Sequence, residues 1–338
     1  MLGWISRIEA RLLLRLAVAA LLIPVGGCVS VDLFGGGPSA PLQESVVRGT
    51  DGPKILLVDI DGVIGADTPS YNILGREEIS MIARVREVLD RARQDEEVKG
   101  LLLRIDSPGG TVTASDQIYT EILQFKREQD VPVVAQLLGT AASGGYYVAM
   151  SADQVQAHTT TVTGSIGVLF SSVNFVGLME KLGIEDQTLT AGEFKDAGSP
   201  FRRLNAVERA QLQSIVDDLH ARFRAVVEAG RPDLSSEDVA RLANGQIFSS
   251  SQALENGLVD RVGTLEEAVV WLEGQMGVGR SRVVAYHRPS EVRRNLYMRG
   301  AMNPPVQFGV MDRLSRLGLE SVLSRPGFHY LWWPGLGD

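Results

Sequence analysis

The 338 residues contain one cysteine, Cys28, four histidines and very little lysine. A single cysteine excludes an internal disulfide framework and any cysteine-based metal site. His158, His220, His287 and His329 are scattered and show no ligand spacing. The net charge is −8, and no basic block offsets it, so nucleic acid is excluded as the main partner. Of the 33 basic residues only five are lysine, Lys54, Lys99, Lys126, Lys181 and Lys195, and the other 28 are arginine. Arginine does not give up its proton in a protein, so a position that needs a neutral amine must be drawn from those five. Against these shortages stands a 44% hydrophobic content, enough in a chain of this length for a sizeable core in one large domain or two smaller ones.

Residues 1–28 carry Arg7, Arg11 and Arg15, then the apolar run from Leu16 to Val25, then Gly26-Gly27-Cys28. This is the layout of an export signal, and the run is too short for the ~20 residues a bilayer-spanning helix needs. Val25-Gly26-Gly27-Cys28 resembles the lipobox of bacterial lipoproteins, which implies cleavage before Cys28 and a lipid on its sulfur. The competing reading is an uncleaved anchor with an incidental cysteine. Residues 29–52 hold Gly35-Gly36-Gly37-Pro38 and Pro41 without apolar period and are expected to be a flexible linker. The folded body is expected over 53–287, followed by an Arg-, Pro- and Gly-rich C-terminal extension over 288–338. The aromatics at its end, from Tyr330 to Trp333, are expected to dock on the body or on a neighbour.

Within the body, strands and helices alternate. Lys54–Ile60, Gly100–Ile105, Pro132–Leu138, Gln154–Ala157 and Val168–Phe170 read as strands, and Glu185–Thr190 as a further one. Helical spacing runs through Glu77–Arg93, Thr113–Glu128, Asn174–Leu182 and Ala206–Ala229, with shorter helices within 235–243 and 249–256. This alternation predicts an α/β fold with largely parallel strands.

The chemistry centres on Gly139-Thr140-Ala141-Ala142-Ser143-Gly144-Gly145-Tyr146-Tyr147, which places the Ser143 hydroxyl among small residues at a strand-to-helix junction. There Ser143 lies near free backbone N–H groups that favour developing negative charge. A serine nucleophile needs a base, and Lys195 lies in a Gly-flanked segment, whereas Lys99 and Lys126 sit among solvated charges. An amine serves as base near neutral pH only if burial lowers its pKa by several units from ~10.4. The turn Asp106-Ser107-Pro108-Gly109-Gly110 can bring backbone N–H groups of Gly109 or Gly110 beside that of Gly144, as an oxyanion requires. Taken singly, a glycine pair is also what any turn contains, and small residues also serve tight packing.

These pieces, with Thr163-Gly164-Ser165-Ile166-Gly167, Phe194-Lys195-Asp196 and Gln252–Asp260, resemble the signal peptide peptidase A family of serine peptidases over about 54–275. The resemblance implies the ClpP/crotonase fold, a spiral of βαβ units, with Ser143 as nucleophile, Lys195 as general base and Ser165 orienting the lysine amine. It implies no metal or organic cofactor. The substrates it implies are remnant signal peptides and other unfolded or membrane-associated polypeptides, met on the periplasmic face of a bacterial membrane by a lipid-anchored, exported enzyme. It also implies a homo-oligomeric ring in which Ser143 and Lys195 come from adjacent subunits. The chain departs from the family near His158, where Asn or Asp is common, and this leaves His158 as a rival base. Two other readings stay open: a crotonase-like acyl-CoA enzyme, which shares the Gly-rich turns, and a lipid-anchored scaffold without turnover.

If Cys28 carries the lipid, metabolic labelling with a palmitate analogue will mark the wild type and leave Cys28→Ala unlabelled. Equal labelling of the two proteins refutes the lipid site.

Overall fold

The computed structural model describes residues 40–65, 70–71, 77–289, 291, 293–298 and 327–332, all within the unit Gly36–Asp338. The export signal, Cys28 and residues 29–39 of the linker lie outside the described residues. The chain begins with β1 (Gln43–Arg48), β2 (Lys54–Asp61), the short pair β3 (Ser70–Tyr71) and β4 (Glu77–Glu78), helix α1 (Met81–Ala92) and the long strand β5 (Val98–Ser107). Next come β6 (Gly109–Thr111), α2 (Val112–Gln129), β7 (Val133–Ala142), α3 (Gly144–Ala149), β8 (Gln154–Ala157), β9 (Val162–Gly164), β10 (Leu169–Ser171) and α4 (Val176–Leu182). The remainder is α5 (Ala206–Gly230), α6 (Ser236–Leu242), β11 (Ile247–Ser249), α7 (Ser250–Glu255), β12 (Arg261–Val262), α8 (Leu265–Gln275), β13 (Arg282–His287) and β14 (Gly327–Leu331).

Nine strands form the main sheet, in the order β1-β13-β2-β5-β7-β8-β12, with β9 beside β7 and β11 beside β9. From β13 to β12 the pairings are parallel. Successive side chains on a strand point to opposite faces, and here both faces are dry. Leu56, Val58 and Ile60 of β2, Leu101, Leu103 and Ile105 of β5, and Val133, Ala135 and Leu137 of β7 join one core cluster, which also takes apolar residues of α1, α2 and α5. The alternating Ile55, Leu57, Leu102 and Val134 pack with Leu265, Ala268, Val269 and Leu272 of α8 in a second cluster. The α/β class read from the sequence is therefore the fold observed, and its near-continuous apolar strands follow from burial on both faces.

Several boundaries differ from the sequence reading. Residues 43–48, expected within the linker, form β1 and pair antiparallel with β13. Residues 77–78 are extended, and the helix expected from Glu77 starts at Met81 because the Ser80 hydroxyl caps it through the Ala83 N–H. Glu185–Thr190 is not a strand. Asp186 accepts the Thr188 N–H at 3.1 Å in a local turn, Leu189 is 97% exposed, and among the described residues no strand pairs with it. Part of the C-terminal extension belongs to the body. Arg293 pairs with Asp59, Leu296 is buried, and β14 lies between β6 and β10 in a separate three-stranded antiparallel sheet. Among the described residues, no helix is long and apolar enough to cross a membrane.

β14 carries a buried polar side chain, His329. It faces Thr111 of β6 and Leu169 of β10 in register, and neither ring nitrogen has a hydrogen-bond partner among the described residues. Desolvation pushes its pKa below the ordinary histidine value. Docking of β14 therefore keeps its full stability above pH ~6.5 and loses it as the pH falls through the lowered value. Amide exchange in 327–331, corrected for its intrinsic pH dependence, is expected to be faster at pH 5 than at pH 8. His329→Phe should remove the difference, and a wild type with equal protection at both values would refute the assignment.

Candidate active site

Strand β7 is shared between two neighbours. Its first part pairs with β8 from Val134 to Leu137, and its end pairs with β9 from Thr140 to Ala142. The switch is secured by side chains. Asp106 accepts the Thr140 N–H at 2.9 Å, and the hydroxyls of Thr161 and Thr163 donate to the carbonyls of Leu138 and Ala141 at 2.6 Å each. Ser143 follows at once, with φ 52° and ψ −117°, and α3 starts at Gly144. Its N–H donates to the Gly164 carbonyl at 2.8 Å, and its carbonyl accepts from Tyr147 N–H at 2.8 Å. Such backbone costs of order 1–3 kcal/mol and persists only where its surroundings enforce it.

Among the described residues, only Asp130, Ser143 and Ser165 are non-glycines at positive φ. Asp130 caps the C-terminus of α2, where that conformation is ordinary. The other two are paired by register: Ala142 of β7 lies opposite Gly164 of β9, so Ser143 and Ser165 follow side by side at the ends of parallel strands. Both are buried, and Ser143 Oγ has no hydrogen-bond partner among the described residues. A buried hydroxyl held in strain with nothing to bond is poorly explained by packing alone.

The glycines meet at the same place. At Gly109, φ is 100°, and an added Cβ would lie 2.6 Å from the Gly144 nitrogen. One on Gly144 would lie 2.4 Å from Ser115 Oγ, and one on Gly110 would run into the Ile64 carbonyl at 1.8 Å. Only glycine admits this approach of three backbone segments. The Gly109 N–H itself donates to Ser107 Oγ at 3.1 Å.

Lys195 is placed differently. It is exposed, in a turn closed by its own N–H to the Gly192 carbonyl at 3.2 Å, so the described residues do not supply the burial expected of a base. Around it, residues 173–195 are almost wholly exposed, although they include Phe175, Leu178, Leu182, Ile184, Leu189 and Phe194. Helix α4 has no buried residue at all. What fixes the turn is an ion-pair bridge that sequence reasoning missed. Arg202 donates to Asp196 at 2.7 Å and to Glu208 of α5 at 2.9 Å, and Glu208 also closes the capping box with Asn205. Hydrogen bonds from Arg202 hold both carboxyls below the usual carboxylate range. The spacing Asp196, Arg202, Glu208 was visible, but nothing in it told an ion pair from solvated surface charge.

His158, the rival base, is half-buried, shares a 3.0 Å hydrogen bond between Nδ1 and Thr160 Oγ1, and lines a cavity of about 280 Å³ with Arg104, Leu138 and Tyr297. The structure thus brings together Ser143, Ser165, Gly109, Gly110 and Gly144, and leaves Lys195 on an exposed segment. It also adds a group that the sequence did not reveal. Tyr147, four residues beyond Ser143, donates its hydroxyl to Asp116, which also binds Arg222 at 3.0 Å. Burial first, then Asp116, pushes the Tyr147 phenol pKa well up.

The chain is similar in sequence to known proteins. Residues 125–279 match the family described as Peptidase family S49, and residues 75–163 match Clp protease. A protein of Enterococcus faecium named "Putative signal peptide peptidase SppA" is 37% identical over 244 residues, covering 72% of this chain and 70% of that protein. Protease 4 of Haemophilus influenzae is 33% identical over 64% of this chain, and the chloroplastic serine protease SPPA of Arabidopsis thaliana 30% identical over 66%. The chain spans only 34% and 32% of those two longer proteins. The identity to the Enterococcus protein extends over most of both chains, and on that ground this chain belongs to peptidase family S49, the serine peptidases of the SppA type.

Proposed function

We propose that the chain is a membrane-tethered serine endopeptidase whose working site joins Ser143 of one copy to Lys195 of the next. The observation that carries this reading is the contrast at the two positions. Ser143 is strained and buried with its hydroxyl unpartnered among the described residues, whereas Lys195 lies exposed amid apolar residues that no other described residue covers. A second copy seated on 173–195 would bury those residues and desolvate the amine. An interface repeated head to tail closes into a ring when the rotation permits.

In this site the neutral amine of Lys195 takes the Ser143 proton as Oγ bonds to the scissile carbonyl carbon. The carbonyl oxygen takes the negative charge within reach of the Gly110 and Gly144 N–H groups, with Gly109 providing the close approach. The ammonium then returns the proton to the departing amine, the peptide C–N bond breaks, and an ester on Ser143 remains. Water, deprotonated by the same amine, hydrolyses the ester and restores the hydroxyl. Ser165, side by side with Ser143, is suited to orient the amine. Arg202, through Asp196, fixes the turn that presents it. The substrates proposed are remnant signal peptides and other unfolded or membrane-associated polypeptides, met on the extracytoplasmic side by an enzyme held through lipidated Cys28. A crotonase-like acyl-CoA enzyme or a scaffold would give no reason for a strained Ser143.

Two measurements test the dyad and its division between copies. Lys195→Arg is expected to be as inactive as Lys195→Ala, with a loss of about 10²–10⁴-fold, because a permanent cation cannot accept a proton. Retained activity in Lys195→Arg together with loss in His158→Ala would install a Ser-His mechanism instead. Co-expression of Ser143→Ala with Lys195→Ala, each inactive alone, should restore about one site in four at equal amounts if the pair is shared. A verified mixed oligomer without activity refutes sharing and leaves the dyad standing.

A further inference from the structure

The face of the main sheet that packs on α8 changes character along its strands. Leu57, Leu102 and Val134 are neighbours in register there, and all three belong to the core beneath α8. Two residues further along the same strands, and so on the same face, stand Asp59, Arg104 and Gln136, with Gln156 of β8 next in the row. Polar side chains inside a sheet are costly unless they are bonded. The two glutamines bond each other at 2.7 Å, and their amide nitrogens donate to the carbonyls of Gly263 and Thr264 just ahead of α8.

The charged half of the row is not balanced. Asp59 accepts from Arg104 at 2.6 Å and pairs with Arg293 as well, so one carboxylate serves two guanidinium groups, and Glu291 stands 3.9 Å from Arg293. Arg104 is only 3% exposed. A guanidinium has five N–H donors. On Arg104 one goes to Asp59 and one each to the carbonyls of Leu296 and Met298, which leaves two without an acceptor among the described residues.

The sheet opens beside this row. The pairing of β7 with β8 ends at Leu137, and that with β9 begins at Thr140. The cavity of about 280 Å³ lies at this parting, lined by Arg104, by Leu138 and Gly139 of β7 and by His158 just past β8. Thr264 and Leu265 at the start of α8, with Tyr297, complete the wall. Parallel sheets take their ligands at the carboxyl ends of strands whose neighbours part. The Thr160 N–H donates to His158 Nδ1 at 3.4 Å, so the neutral ring carries its proton on Nε2, which has no partner among the described residues. At α8 the Thr264 side chain takes the Glu267 N–H, and the N–H groups of Leu265 and Glu266 have no intrahelical acceptor. The acidic side chains of that turn are engaged elsewhere, Glu266 with Arg48 and Glu267 with Arg261. Donors are therefore in surplus on one side of the cavity, and Leu138, Leu265 and Tyr297 make the other side apolar.

We propose that this cavity is a binding site for a small carboxylate carried on an apolar or aromatic body. The spare N–H donors of Arg104 and the Nε2–H of His158 hold the carboxylate at the start of α8, and Leu138, Leu265 and Tyr297 receive the body. The carboxylate supplies the charge that Asp59 leaves unmatched between two arginines. An occupant rests on Leu138 and Gly139, the stretch where β7 changes neighbours on its way to Ser143. The site does not depend on Ser143 being the nucleophile.

The test is calorimetric titration of the full chain carrying Ser143→Ala with phenylacetate and with phenylacetamide, its neutral counterpart of the same shape. The acid is expected to bind with a dissociation constant on the order of 1 mM or tighter, and the amide about tenfold more weakly, because the charge-assisted hydrogen bonds are lost. His158→Phe keeps a ring in place without the Nε2 donor, and Tyr297→Ala removes an exposed part of the wall. Each should weaken the acid by about tenfold. Binding beside Ser143 instead would be indifferent to both substitutions. Equal affinity for acid and amide, no heat from either at ~10 mM, or full affinity in both variants overturns the site.

Discussion

The bond from Ser143 N–H to the Gly164 carbonyl holds the site together, because it ties the end of β7 to the end of β9 at the point where both chains turn through positive φ. That contact exists only because β7 changes neighbours. Along its first half it is an ordinary buried strand between β5 and β8, and past Leu138 it leaves β8 and takes β9 as partner. The change breaks the register with β5 between Ile105 and Ser107. It brings the turn after β5 against the start of α3. Asp106, Thr161 and Thr163 hold the altered path with their side chains, and the glycines let the segments close. The strain at Ser143 is set against this network, which is why a backbone worth of order 1–3 kcal/mol of destabilisation can persist there.

The remaining part of the proposed site obeys a different constraint. A lysine serves as base only when desolvated, yet the segment that carries Lys195 has little apolar contact of its own and is shaped by one ion-pair bridge through Arg202. Among the described residues nothing covers its apolar side chains, and this is the face on which a second copy is proposed to sit. The C-terminal strand presents the opposite case. It is distant in sequence from the site, yet its Tyr330 is among the largest fully buried side chains of the described residues. Its ring extends an aromatic cluster of Tyr119, Tyr147 and Phe223 directly behind α3. Tyr147, four residues beyond Ser143, thus joins the start of α3 to the C-terminal strand by the stacking of its ring on Tyr330.

Much of this was legible in the residues. The buried strands 54–60, 100–105 and 132–138 announced themselves because burial on both faces leaves a continuous apolar run, and the α/β class follows from their alternation with helices. Ser143 stood out because it lies among small residues between a buried strand and a helix start and is accompanied by the glycine turn and by Lys195; alone, the small residues fit tight packing equally well. The scarcity of lysine drew attention to Lys195, and the family resemblance carried Ser165. Where the sequence reading failed, a local pattern was overruled by what lay nearby in space. Residues 43–48 look like linker because their burial comes from β13, some 240 positions away in the chain. Glu185–Thr190 looks like a strand, and among the described residues none pairs with it.

The sequence by itself determined the strand and helix periods, the strand-to-helix junction that bears the hydroxyl, and the lack of any cysteine or histidine cluster, since these depend only on local composition and spacing. Tertiary structure decided that Ser143 and Ser165 stand side by side, because their pairing is a matter of register between β7 and β9. It decided that Lys195 is left outside the core, because burial is a property of the surroundings and not of the residue. It also decided where the C-terminal strand lies, since a five-residue strand has no partner written into it and takes the place between β6 and β10 that the folded body offers.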